Sequence, residues 1–79
     1  METRVAKVEF KENKLFFLLE DGREVGCPLE WFPKLWKATD EQRNKYRILP
    51  YGIGVHWEDL DEDISTEGMF KYSPPLKTL

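Results

Sequence analysis

The sequence is poor in the residues that most protein chemistry needs. Its 79 residues include one cysteine, Cys27, and one histidine, His56. A single cysteine excludes an intrachain disulfide and suits a reducing compartment. One imidazole and one thiol are too few to build a closed zinc site. A basic excess is also missing: 12 lysines and arginines face 15 acids, giving a net charge of −3 and a sequence pI near 5.1. That balance draws in neither phosphate backbones nor anionic lipid, so nucleic acid and membrane are not expected as direct partners. The longest aliphatic and aromatic run is Leu15–Leu19, far short of a membrane span. The opening residues Met1–Lys7 lack the apolar core of a signal peptide, so a soluble cytoplasmic protein is expected. Repeats, linkers and low-complexity tracts are absent as well.

What the chain does have is apolar and aromatic bulk, 41% hydrophobic and 14% aromatic, enough for a folded globule rather than a disordered chain. The length suits one small domain, expected over 1–72, with a flexible C-terminal tail over 73–79 after Ser73-Pro74-Pro75. A domain this small buries only about 60–65% of its unfolded surface, so its own core is marginal.

The periodicity reads as strands first. Val5–Phe10 alternates, which places Ala6, Val8 and Phe10 on one face and Val5, Lys7 and Glu9 on the other. Glu12-Asn13 is a turn. Lys14–Glu20 is apolar on both faces, with Leu15, Phe17 and Leu19 opposite Phe16 and Leu18, so its second face is expected under a helix or another subunit. Asp21-Gly22 is a hairpin turn because glycine takes the positive φ such turns need. Arg23–Leu29 returns as a third strand that Pro28 ends.

Helix signals follow. Pro33 fits a first helical turn, and Phe32, Leu35 and Trp36 form one apolar stripe. Thr39-Asp40-Glu41-Gln42 matches a capping box, with acids placed for the helix dipole. Tyr46–Leu49 is again β-like. Ile53, Val55 and Trp57 then alternate with Gly54, His56 and Glu58, a strand that Gly52 and Gly54 bend. Ser65 is an N-cap, Ile64 and Met69 fit a hydrophobic staple, and a helix is expected over about Thr66–Lys71. The fold class expected is α+β: a small antiparallel sheet, an N-terminal three-stranded meander plus one or two later strands, with two or three short helices mainly on one face.

Residues 56–63 hold the histidine, Trp57 and five of the fifteen acids. Residues 58–79 carry six acids and two bases, net −4, which leaves the rest of the chain at +1. Asp59, Asp61 and Asp63 alternate like the start of a calcium loop, but that template then needs glycine and glutamate where Ile64 and Phe70 stand. Two readings of the acids remain: a solvated connection before a helix, as most charge runs are, and an acidic docking surface that steers a basic partner. His56 lacks further donors at ligand spacing and reads as a structural or surface histidine. Cys27, within a strand and without an activating neighbour, reads as a small apolar residue rather than a nucleophile. Gly52-x-Gly54 is too short for a phosphate loop and reads as backbone bending. The basic stretch Lys34, Lys37, Arg43, Lys45 and Arg47 is diluted by Glu30, Asp40 and Glu41, too weak to support nucleic-acid binding.

Several stretches carry a family likeness: Asp21-Gly22-Arg23, Pro28–Leu35, Ala38-Thr39, Gln42-Arg43 and above all Gly54-Val55-His56-Trp57 with Leu60–Ser65. On these the chain resembles the uncharacterised bacterial family catalogued as domain of unknown function 2442, over nearly its whole length. The resemblance implies a small α+β domain. Some members add a DNA-binding helix-turn-helix segment, for which this chain has no room. Stand-alone members are often encoded beside another small protein in an arrangement that resembles a toxin–antitoxin pair. No catalytic residues are established for the family, so none is carried over.

The function expected is therefore non-catalytic, a protein-binding module resembling an antitoxin, without cofactor or metal. Its partner would be a protein with a basic surface, met by Glu58, Asp59, Asp61, Glu62 and Asp63, with Trp57 as anchor. The alternatives are a self-associating homodimer that buries Lys14–Glu20, and a metal- or ligand-binding protein that uses His56.

Overall fold

The structure, a computed structural model, describes residues 4–71. The expected C-terminal tail over 73–79 lies outside the described residues.

Three antiparallel strands form the N-terminal meander: β1 (Val5–Lys11), β2 (Lys14–Leu19) and β3 (Glu24–Pro28), in that order across the sheet. Glu12 and Asn13 join the first pair with φ of 53° and 60°. Two left-handed residues in a two-residue loop match the right-handed twist of the strands they connect. In the second hairpin Gly22 takes a φ of 94°, and Leu19 N–H donates to Arg23 O at 2.7 Å. Asp21 accepts from the Arg23 backbone N–H at 3.0 Å and pairs with its guanidinium, which holds the Asp21 carboxyl below its ordinary range.

The expected alternation of β1 fails at its start. Val5 pairs with Leu19 but Lys7 pairs with Leu18, so Ala6 is the extra residue of a β-bulge. The bulge turns Val5 inward with Val8 and leaves Ala6 exposed, the reverse of strict alternation. In β2, Leu15, Phe17 and Leu19 are buried as expected. The opposite face is covered in part by its own sheet. Phe16 lies over Gly26, where a Cβ would stand 2.5 Å from its ring, and the Lys11 ammonium sits 5.1 Å from the ring centroid.

After a 3-10 turn at Leu29–Trp31 come α1 (Pro33–Trp36) and α2 (Asp40–Asn44). The capping box forms in full: Gln42 N–H donates to Thr39 Oγ1 at 3.1 Å, and Thr39 N–H donates to Gln42 Oε1 at 3.0 Å. Phe32 and Leu35 are buried, but Trp36, expected in the same stripe, is 45% exposed. A single helical turn has too little length to wind a third residue of the stripe onto the core.

A second antiparallel sheet follows, β4 (Tyr46–Ile48), β5 (Gly54–Trp57) and β6 (Glu62–Ser65), in the order β4-β5-β6. Two of these strands were expected; β6, read from the sequence as an acidic connection, is a third. Val55 and Trp57 point inward and are fully buried. Ile53, expected on that face, is 59% exposed because it belongs to the turn after Pro50–Gly52 and not to the strand. Gly54 is needed where β5 meets β6, since a Cβ there would stand 2.8 Å from Ile64 O.

The sheets meet at β1 and β4, where Val8 N–H donates to Tyr46 Oη at 3.4 Å. Helix α3 (Thr66–Lys71) packs against β3, β5 and β6. Ser65 caps it by accepting from Gly68 N–H at 2.8 Å, and Ile64 and Met69 are both buried, as a staple requires. Thr66, buried, donates Oγ1–H to Gly52 O at 2.7 Å and its N–H to Ile53 O at 2.8 Å, which fixes the 50–53 turn to α3. The core gathers Leu15, Phe17, Leu35, Val55 and Trp57 between these layers. Among the described residues no helix is long and apolar enough to cross a membrane.

Candidate functional site

The acidic stretch is a β-hairpin. β5 ends at Trp57, the chain turns through residues 58–61, and β6 returns with Trp57 opposite Glu62 and His56 opposite Asp63. Leu60 N–H donates to Trp57 O and Asp61 N–H to Glu58 O, each at 3.3 Å, and Asp61 takes a φ of 50°. Aspartate tolerates that left-handed conformation better than most residues. Leu60 tucks against the core and anchors the turn, which leaves Glu58, Asp59, Asp61 and Asp63 exposed and Glu62 half-buried.

Trp57 does not belong to this surface. It is fully buried, its ring 6.4 Å from those of both Phe10 and Tyr46, and its indole N–H donates to Arg43 O at 2.9 Å. The expectation that it anchors a partner is corrected: the inward face of β5 commits its whole area to the core.

The acids are not equivalent. Asp59 lies 3.9 Å from Lys45 Nζ, which also reaches Glu41 at 4.0 Å. Lys34 Nζ donates to the backbone oxygen of Asp61 at 2.9 Å, and the Asp61 carboxylate makes no ion pair among the described residues. Glu62 Oε1 accepts from Asp63 N–H at 3.2 Å. Among the described residues no three His, Cys, Asp or Glu side chains gather where one metal ion would bind them.

His56 sits on the outer face of the second sheet, in a row with Arg47 of β4 and Asp63 of β6. Its Nδ1 is 2.5 Å from Asp63 Oδ1 and its Nε2 is 3.4 Å from Glu58 Oε2. The Asp63 hydrogen bond raises the proton affinity of the imidazole, partial desolvation opposes it, and Glu58 adds to the rise. Cys27 is elsewhere, buried with Sγ 3.6 Å from Met69 O, and burial pushes its thiol up, away from the reactive thiolate.

Reading the sequence missed two relationships. The His56–Asp63 pair spans seven residues and is visible only once 58–61 is taken as a turn; the left-handed tolerance of Asp61 was the signal available. In the sequence Arg43 reads as part of a diluted basic stretch. Instead its Nε and one terminal nitrogen donate to Leu35 O and Trp36 O at 2.8 and 2.9 Å, closing the end of α1.

The family described as "Protein of unknown function (DUF2442)" matches residues 5–75. The chain belongs to this family. A crystal structure of a protein of unknown function from Rhodospirillum rubrum is similar at 32% identity and a TM-score of 0.79, over 98% of this chain and 95% of that one. The solution NMR structure of an uncharacterized protein from Chromobacterium violaceum is similar at 28% identity and a TM-score of 0.73, over 86% of this chain and 64% of that one. No curated protein matches the sequence.

Proposed function

We propose that this chain is a non-catalytic, cytoplasmic protein-binding module. In this reading the β5–β6 hairpin docks on a basic surface of a small protein partner and occludes it, as an antitoxin covers its toxin. The observation that carries the reading is the placement of Glu58, Asp59, Asp61, Glu62 and Asp63 on one hairpin whose turn is pinned to the core by Leu60. A fixed scaffold spares the partner the entropy of ordering a loop. Complementary charge of this kind speeds encounter more than it deepens affinity. Asp61 and Asp59 are the residues to test. Reversing both to lysine should weaken a partner co-purified from the native cell, measured by calorimetry, with the circular dichroism spectrum unchanged. Undiminished affinity in a folded double variant overturns the reading.

The outer face of β2 favours a second reading, a homodimer. Phe16 and Leu18 are half-buried there and flanked across the sheet by Lys7, Glu9 and Glu24 at register positions. Light scattering over a concentration series tests it: a strict monomer at millimolar protein removes the dimer.

A further inference from the structure

Both ring nitrogens of His56 face carboxylates, Asp63 on β6 and Glu58 at the end of β5. A neutral imidazole carries one N–H and can donate to only one of them, so the other nitrogen would turn its lone pair toward a negative oxygen. The doubly protonated ring donates to both. We propose that His56 is a proton-operated gate on the acidic hairpin: protonated, it holds Asp63 and Glu58 to itself; deprotonated, it releases Glu58 and leaves the hairpin one charge more negative. The gate rests on the docking reading above, since it controls the charge offered to a basic partner.

The geometry says which contact yields. Glu58 is 80% exposed on its side chain and stands at 3.4 Å, while Asp63 stands at 2.5 Å from a ring only 16% exposed. The short contact survives in the neutral tautomer with the proton on Nδ1, and the long one does not. From β4 the residue paired with His56 in the sheet is Arg47, exposed and without an ion pair among the described residues. The next cation along the hairpin, Lys45, is engaged with Asp59 and Glu41. Binding and protonation are then linked reciprocally: a cationic partner favours the deprotonated ring and expels its proton.

His56 is the only histidine, so its imidazole resonances need no assignment. Proton NMR across a pH series should show it titrating above the ordinary histidine value of about 6.5. Asp63→Asn should bring it down, and Glu58→Gln should lower it less. Titration at the ordinary value in the wild type, or no response to Asp63→Asn, overturns the clamp. The gate is read with an octalysine peptide as probe, which keeps its charge throughout because lysine titrates near about 10.4. Its affinity should strengthen about two- to five-fold between low and high pH, the worth of one surface charge pair. His56→Gln should abolish the change; if that variant does not fold, Asp63→Asn should move the change to lower pH, and a change that stays in place in Asp63→Asn overturns the gate. Binding that is equal at both ends of the series overturns the gate and leaves docking intact. No binding at any pH overturns the docking reading and the gate with it, while the NMR titration still decides the clamp.

Discussion

Trp57 donates its indole N–H to the backbone oxygen of Arg43 at 2.9 Å, so the buried face of β5 is bonded to the end of α2. The Arg43 side chain in turn holds the last carbonyls of α1. One strand and two short helices, neither stable alone at this length, therefore share a single connection.

Trp57→Phe keeps much of the bulk and deletes the donor. It leaves a half-buried carbonyl without its partner and a gap where the indole was, at a cost of about 2–4 kcal/mol. Urea unfolding followed by circular dichroism measures this; a loss within error of zero would mean that the core closes around phenylalanine.

Gly22 and Gly52 both have positive φ, 94° and 64°, but their surroundings differ. A Cβ on Gly22 meets nothing within 4 Å, whereas one on Gly52 would stand 2.7 Å from Arg4 Cβ and 2.9 Å from Val5 O. Gly22→Ala should cost about 1–2 kcal/mol, the penalty of a left-handed side chain alone. Gly52→Ala adds a backbone collision and should cost at least about 1 kcal/mol more. Thermal unfolding of the two variants side by side gives the difference.

Tyr51 presents the converse case. Its φ is 63° and its ring is 79% exposed, so it bears the left-handed penalty with little packing in return. Tyr51→Gly should stabilise the fold by about 0.5–1 kcal/mol, after the larger unfolded-state entropy of glycine is subtracted. A lower urea midpoint in the variant would show that the ring contributes contacts worth more than the strain.

His56 makes stability depend on pH with a definite sign. A histidine with a raised folded-state pKa contributes stability that is whole below its unfolded value of about 6.5 and is lost as pH rises through the folded value. Between those limits the wild type should lose stability relative to Asp63→Asn, in which the principal cause of the shift is gone. Urea midpoints of both proteins on either side of the window test this; parallel curves would disprove the coupling.

Local chemistry made much of this fold legible in the sequence. Glu12-Asn13, Asp21-Gly22, the Thr39–Gln42 box and the Ser65 cap each act through neighbours within three residues, and each forms as read. What escaped depends on partners far along the chain. The Ala6 bulge follows from the register against Leu18 and Leu19, and Trp36 faces out because α1 ends after one turn. The candidate site shows the same division. Its acids were visible as composition, but their arrangement was not, because β6 reads as a polar connection until it is paired with β5. Trp57 could not be assigned to core or surface from alternation alone, which gives two faces without saying which is buried.

Helix α3 lies against β3 and β6, the outer strands of two different sheets. A helix of six residues is too short to persist without the surface under it, so it is the element most ready to lift away as a unit. Each such opening would uncover the inner faces of both strands at once, with Cys27 on β3 and Ile64 on β6 losing their cover. The exposure of both sheets to solvent is thus set by one short helix, and amide exchange along β3 and β6 should rise and fall together.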